Sequence, residues 1–186
     1  YANVIDVGQG GMVTVQHSRS CTMPQLFFDF GWPLRQLEKT APTPPRLSLV
    51  DDAPVVLTHW DFDHFAFALE DVKSNAFQWR RGADDRVWLV PGIGVNWGDV
   101  MPSVTGIIWA LHLFVVRKLK VWPADVAGIT AGFVSIARTV PYKPFKGDPN
   151  QHGLFMLLHE RVPTDYSADF SRPVAAIMIP GDADYQ

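Results

Sequence analysis

Cysteine is nearly absent from this sequence, since Cys21 is the only one among 186 residues. A single thiol excludes an internal disulfide framework and any zinc site built on paired cysteines. The first residue is Tyr1, and no basic segment followed by an apolar run is visible after it, so the sequence shows no signal peptide. These absences favour a reducing compartment, and we expect a cytoplasmic protein.

Long apolar runs are also lacking. The longest spans residues 106–116 and falls short of the ~20 apolar residues that cross a bilayer. It predicts a buried or interfacial helix within a longer helix over 104–120, and no membrane span. His112 lies inside this run, and we expect it to be a hydrogen-bonded packing residue rather than a metal ligand.

An excess of charge of one sign is missing as well, because the net charge is −3 and the pI is about 6.0. Without a broad basic field, an extended nucleic-acid-binding surface is not indicated. The basic clusters are 80–81 and 117–120, which leave a local basic groove open. Apolar residues, by contrast, make up 47% of the chain, with 7 Trp and 12 Phe, so the composition predicts one folded domain over 1–186.

Strand patterns fill the first and last thirds of the chain and flank a helical middle. This order predicts an α+β fold with two packed sheets covered by helices. Strands are expected at 4–7, 12–16, 25–30, 54–58, 86–90, 132–137, 153–159 and 174–179, and helices at 65–72 and 104–120.

Four metal-ligand residue types follow the predicted strand 54–58 directly: His59, Asp61, Asp63 and His64. Imidazole nitrogens with carboxylate oxygens suit zinc, manganese or iron, and two metals about 3.5–4 Å apart can hold a hydroxide between them. The competing interpretation is a polar loop in which Asp63 merely caps the next helix. Four ligand-type residues immediately after a buried strand favour the metal site.

The sequence of this segment is similar to that of a known family. Residues 58–64 read Thr-His-Trp-Asp-Phe-Asp-His and resemble the Thr-His-x-His-x-Asp-His loop of the metallo-β-lactamase superfamily, while 29–31 resemble its earlier Asp-x-Gly. The resemblance implies a hydrolase with a four-layer αββα sandwich. The opening Ile-Asp-Val-Gly-Gln-Gly at 5–10, and Asp61 in place of a histidine, resemble the nuclease-type domains of ComEC-like competence proteins. Those domains have an aspartate where this chain has Gly11.

The resemblance also implies a set of site residues. His59 and Asp61 would bind the first metal, Asp63 and His64 the second, and Asp182 would bridge the two. Asp29 would organise the loop, and His152 stays open as a further ligand. His59, Asp63 and His64 would be the catalytic centre of the reaction. The last ligand of the family is a histidine beyond the point where this sequence stops, so the C-terminal part of the domain would come from a downstream segment or a partner chain.

Three functions are consistent with these residues. The first is a two-metal phosphodiesterase or nuclease that uses a metal-bound hydroxide on a nucleic acid or nucleotide, because the Asp61 oxygen shifts preference from zinc toward manganese, with magnesium as a further option. The second is a zinc-dependent hydrolase of a small ester, lactone, thioester or lactam. The third is a non-catalytic or assembly-dependent module of a larger protein.

Overall fold

The computed structural model describes residues 2–4, 11–16, 18, 20–21, 23–32, 52–71, 78–92, 103–123, 125–138, 153–159 and 176–179. The helices in these ranges are α1 (Phe62–Phe65), a 3-10 turn (Ala66–Ala68) and α2 (Val104–Val115). The strands are β1 (Ala2–Val4), β2 (Val13–Val15), β3 (Leu26–Phe28), β4 (Val55–Val56), β5 (Leu69–Asp71), β6 (Gln78–Trp79), β7 (Trp88–Val90), β8 (Leu119–Val121), β9 (Gly128–Ala131), β10 (Val134–Arg138), β11 (Leu154–His159) and β12 (Ala176–Ile179).

These strands form a six-stranded mixed sheet, a four-stranded antiparallel sheet and a two-stranded ribbon. The six-stranded sheet has the order β1-β2-β3-β4-β7-β8, in which β1, β2 and β3 pair antiparallel while β3, β4, β7 and β8 pair parallel. The four-stranded sheet has the order β12-β11-β10-β9, and the ribbon joins β5 to β6. The expected mixture of helices and two main sheets is confirmed at this level.

The alternation of side chains along the strands divides the core into two clusters. Val55 points into a cluster with Trp109 and Leu113 of α2, whereas its neighbour Val56 points into a cluster with Met156 of β11. Successive residues of a strand face opposite sides of the sheet, so the six-stranded sheet is covered by α2 on one side and by the four-stranded sheet on the other. The sequence explains this burial, because 54–57 is apolar without alternation.

The helix expected over 65–72 is wrong. The helical turns come earlier, at 62–68, and 69–71 is a strand that pairs with β6. The whole of 64–69 is buried, so apolar residues occur here without the exposed positions that distinguish a helical period from a strand.

The helix expected over 104–120 ends at Val115 instead. Arg117 adopts φ +61, the Lys118 amide donates to the Leu113 carbonyl at 2.8 Å, and the Arg117 amide donates to the Phe114 carbonyl at 3.1 Å. This is a Schellman ending, in which glycine usually holds the left-handed position. Because arginine holds that position here, the sequence carries no glycine to mark the end of the helix. The chain then continues as β8.

His112 packs as expected. Its Nε2 lies 3.1 Å from Asp84 Oδ2, and its ring stacks on those of Trp79 and Trp109. Among the residues that the structure describes, no helix has the length and apolar character needed to cross a bilayer.

Candidate metal centre

The candidate site lies at the carboxyl ends of two neighbouring parallel strands. Asp29 follows β3, and Thr58 and His59 follow β4, which pairs with β3. Side chains from such strand ends meet at one edge of the sheet, where open α/β sheets commonly bind ligands. Asp29 adopts φ +60, a conformation that aspartate tolerates better than most residues, and this turns its carboxylate toward the next strand.

The Asp29 carboxylate anchors the loop through three hydrogen bonds. Its Oδ1 accepts the Thr58 amide at 2.7 Å, and its Oδ2 accepts the Thr58 hydroxyl at 2.8 Å. The Nδ1 of His64 lies 2.8 Å from the same Oδ2. All three residues are buried, so these bonds are shielded from water and satisfy groups that would be costly to leave unpaired.

The same network fixes the tautomers of both histidines. The single Thr58 hydroxyl proton goes to Asp29, so Thr58 Oγ1 acts as an acceptor for His59 Nδ1, which lies 2.9 Å away. Asp29 can only accept, so His64 Nδ1 is also a donor. In a neutral imidazole the Nε2 is then the unprotonated nitrogen, with its lone pair directed away from the anchor. Metal-binding histidines are commonly held in this way by a carboxylate on the other ring nitrogen.

A carboxylate lies beside each Nε2. Asp61 Oδ2 is 3.3 Å from His59 Nε2, Asp63 Oδ2 is 3.9 Å from His64 Nε2, and the two imidazole centroids are 3.9 Å apart. Both rings are buried, whereas the Asp61 side chain is 31% exposed, so the carboxylates line the side of the site that solvent reaches. Two nitrogens and two carboxylates are thereby gathered at the surface end of a buried anchor.

His59 Nε2 is a buried polar atom without a hydrogen-bond partner among the described residues. Asp61 Oδ2 approaches it at 3.3 Å, without satisfying the full geometry of a hydrogen bond. The interaction with the His59 side chain, as a hydrogen-bond donor to the carboxyl, is the main reason that the pKa of Asp61 is lowered from 3.8; burial of the carboxyl acts in the opposite direction. The carboxylate therefore stays ionised to lower pH than a free aspartate, and a metal ion at Nε2 would take the place of the proton that faces it.

Backbone contacts hold the His/Asp loop against 29–32. The Phe30 amide donates to the His64 carbonyl at 2.8 Å, and the Trp32 amide donates to the Asp63 carbonyl at 3.1 Å. A Cβ added at Gly31 would lie 2.5 Å from the Asp63 carbonyl oxygen and 2.6 Å from the Gly11 carbonyl oxygen. Glycine is therefore required at this crossing.

Gly11 lies directly beside the anchor. A Cβ at Gly11 would be 3.3 Å from Asp29 Oδ2, so an aspartate there would bring a second carboxylate close to the first. With glycine at position 11, this position supplies no second carboxylate to compete with Asp29 Oδ2 for its hydrogen bonds to Thr58 and His64.

The residues between the ligand-type side chains support the loop from inside. Trp60 is fully buried in the core cluster, and Phe62 packs edge-on against Phe65 with ring centroids 5.4 Å apart. Asp61 stands at the N-cap of α1 but makes no side-chain cap hydrogen bond, and Asp63 lies inside the helical turn. The interpretation of the carboxylates as simple helix caps is therefore not supported.

The structure brings together some of the expected site residues and does not describe others. Asp29, His59, Asp61, Asp63 and His64 are neighbours, whereas His152 and Asp182 lie outside the described residues. Within the described ranges, no group of three or more His, Cys, Asp or Glu side chains is close enough to hold a metal ion by itself. What is present is two histidine–aspartate pairs on a common anchor.

Two strands of the four-stranded sheet approach the same edge. The Leu154 amide at the start of β11 donates to the Thr58 carbonyl at 2.9 Å. Because β12 runs antiparallel to β11 and pairs Ile179 with Met156, β12 ends near the start of β11. The sequence places His152 two residues before Leu154, and Asp182 three residues after Ile179.

Sequence reasoning missed the role of Thr58. Its hydroxyl donates to Asp29 and accepts from His59, so it connects the anchor to both imidazoles. The available signal was its place directly before the first histidine of the loop. Residue type and spacing alone do not give the direction of a hydrogen bond.

The chain matches none of the protein-family models, curated proteins or solved structures with which it was compared. The residues at this edge of the sheet nevertheless fit a divalent metal by their own chemistry. They combine a buried imidazole nitrogen that has no hydrogen-bond partner among the described residues with the nearby carboxyl group of Asp61, whose pKa is lowered, a donor set that suits zinc or manganese.

Proposed function

We propose that the protein is a metal-dependent hydrolase of the metallo-β-lactamase type, most specifically a two-metal phosphodiesterase or nuclease. The observation that carries this proposal is the Asp29–Thr58 anchor, which holds Nδ1 of both His59 and His64 and directs the two Nε2 atoms toward Asp61 and Asp63. His59 Nε2 supports it as a buried atom beside a carboxylate and without a hydrogen-bond partner among the described residues.

In this proposal His59 and Asp61 hold one metal, and Asp63 and His64 hold the other. Asp182 follows β12 and would bridge them, and His152 before β11 is a further candidate ligand. Their positions in sequence support this assignment, because both strands approach Thr58 at the ends where these residues come next. A four-layer αββα sandwich is part of the same proposal and is supported by the layers of α2 and the two main sheets.

Two divalent ions at such a site supply Lewis-acid stabilisation of phosphate charge and activate a water molecule as the nucleophile. The chain supplies the fixed geometry. The anchor holds both imidazoles in one tautomer before any ligand arrives, so little reorganisation is needed when the site is used. Asp61 adds a hard oxygen and a negative charge, which favours manganese or magnesium over zinc.

The test is to purify the protein, measure its metal content by elemental analysis, and assay phosphodiester hydrolysis with manganese, magnesium or zinc added. Bis(p-nitrophenyl) phosphate reports the chemistry, and single-stranded DNA, double-stranded DNA and RNA report the substrate class. We expect manganese-stimulated cleavage of at least one of them. Retention of zinc with hydrolysis of esters or lactones only would support the zinc-hydrolase alternative. If metal neither binds nor stimulates turnover, the proposal is wrong for this chain.

Replacing the anchor should weaken metal binding without removing a ligand. In an Asp29→Asn variant the side chain keeps its size, and asparagine tolerates φ +60. Its NH₂ group, however, must face a hydrogen-bond donor of Thr58 or His64, so one of the anchor's hydrogen bonds is lost. We expect metal affinity to fall about 10- to 100-fold, as for other partners of ligand histidines. Isothermal titration with manganese measures this, with Asp52→Asn as the exposed control. Equal affinity in both variants would show that Asp29 does not organise a metal site.

A further inference from the structure

The outer face of α2 is apolar and unpartnered within the described residues. Leu111, Phe114 and Val115 project from it, and Phe114 and Val115 are 70% and 75% exposed. The helix carries no Asp, Glu, Lys or Arg, although its opposite face is buried in the core with Trp109 and Leu113. A helix that is apolar on two opposite faces is normally covered on both of those faces. The exposed face of α2 therefore indicates an interaction surface.

Basic residues border this face at one end. Arg117, Lys118 and Lys120 follow α2 directly, and none of them forms an ion pair in the part of the chain that the structure describes. The range 103–123 contains no Asp or Glu, although the whole chain has a net charge of −3. We name the resulting surface the α2–β8 patch. Its members are Leu111, Phe114, Val115, Val116, Arg117, Lys118, Lys120 and Val121.

The end of α2 places a positive charge beside the apolar face. Arg117 occupies the left-handed position of the helix ending with φ +61, and its side chain is exposed. The neighbouring groove of about 470 Å³ is wide open and is lined by Phe114, Val115, Leu119 and two basic side chains.

We propose that the α2–β8 patch docks the protein onto an anionic lipid surface. Protruding apolar side chains can enter the boundary between lipid headgroups and acyl chains, and adjacent lysines and arginines are attracted to anionic headgroups. Protein interfaces, by contrast, are depleted in lysine, and this patch carries two lysines. A symmetric contact with a second copy would bring like charges together.

Docking in this way leaves the candidate metal centre open. The patch surrounds the connection from α2 into β8, at the amino ends of the parallel strands, whereas the His/Asp loop follows their carboxyl ends. The start of α2 lies near the loop, since a Cβ at Gly106 would be 3.7 Å from the Trp60 carbonyl oxygen. The proposal does not depend on the metal site.

The test is flotation of the full chain with vesicles of phosphatidylcholine alone and of phosphatidylcholine mixed with phosphatidylserine. We expect binding to the anionic vesicles that weakens as salt is added. The Phe114→Ser, Val115→Ser double variant should bind at least about tenfold more weakly. Each of Lys118→Gln and Lys120→Gln should weaken binding about fivefold.

The matched controls lie away from the patch. Ile129→Ser replaces another exposed apolar residue, on β9, and Arg81→Gln replaces another exposed basic residue, so both should bind as the wild type does. The replaced side chains are exposed except for that of Lys118, which is half-buried, and equal unfolding midpoints by circular dichroism would confirm that the variants are folded.

Four results would overturn the proposal. The first is that the wild type does not float with anionic vesicles, and the second is that the control variants lose as much binding as the patch variants. Equally tight binding to polyglutamate would assign the patch to an acidic protein. A wild-type dimer that the Phe114→Ser, Val115→Ser change converts to a monomer would assign it to a second copy.

Discussion

Under the proposed function, a His59→Asn variant is expected to lose about a thousandfold in metal-stimulated phosphodiester hydrolysis, together with one of the two proposed metals. Asparagine can place an NH₂ group where Nδ1 now lies, 2.9 Å from Thr58 Oγ1, but it has no counterpart of Nε2. The change thus removes the nitrogen that has no hydrogen-bond partner among the described residues and keeps the bond to the anchor. Elemental analysis and steady-state kinetics measure the two losses.

The stability of the metal-free protein separates a ligand from a structural residue. Because His59 Nε2 satisfies no described partner, replacing it should lower the free energy of unfolding only by the lost packing of the ring, about 1 kcal/mol. His159→Asn is the matched control, since His159 is half-buried on β11, where its Nε2 lies 3.3 Å from Ser135 Oγ. Activity that is equal in both variants, or a large loss of stability in His59→Asn alone, would contradict the assignment of His59 as a ligand.

Gly31→Ala is expected to destabilise the protein by about 3 kcal/mol or more. The added Cβ would lie 2.5 Å from the Asp63 carbonyl oxygen and 2.6 Å from that of Gly11, and both atoms belong to backbone that cannot rotate away. The loop must move away from 29–32, so we also expect weaker metal binding. Denaturant unfolding with and without manganese measures both effects.

Gly132→Ala is the control for the glycine change itself. Gly132 has φ +62, and nothing lies within 4 Å of an added Cβ, so alanine there has only the conformational cost of about 1 kcal/mol. If the two variants lose equal stability, the close crossing at Gly31 does not constrain the loop.

The parts of the fold that the sequence predicts well are those where burial leaves a clear pattern. The run 54–57 is apolar throughout, and β4 lies between two parallel neighbours with both faces covered. Strands β6 and β9 were not predicted, and the two wrong helix predictions arise where pattern and structure separate. In the segment 65–72 the residues up to Leu69 are all buried, so the spacing of apolar residues does not distinguish a helix from a strand. At Arg117 the helix ends without the glycine that usually marks such an end.

The candidate site, like the fold, could be predicted from the sequence only in part. Residue type and spacing identify His59, Asp61, Asp63 and His64, and the structure places them together. The tautomers could not be predicted, because they depend on which atom of Thr58 donates and which accepts. The requirement for glycine at position 31 comes from the approach of two chain segments that are distant in sequence.

Asp29 has a further consequence for how the two metal positions behave. One oxygen, Oδ2, accepts from the Thr58 hydroxyl and from His64, and the hydroxyl in turn accepts from His59. Both imidazoles are therefore oriented through a single carboxylate, and any change at Asp29 acts on both of them at once. In the proposed two-metal site, loss of this one side chain would disturb both halves of the centre together.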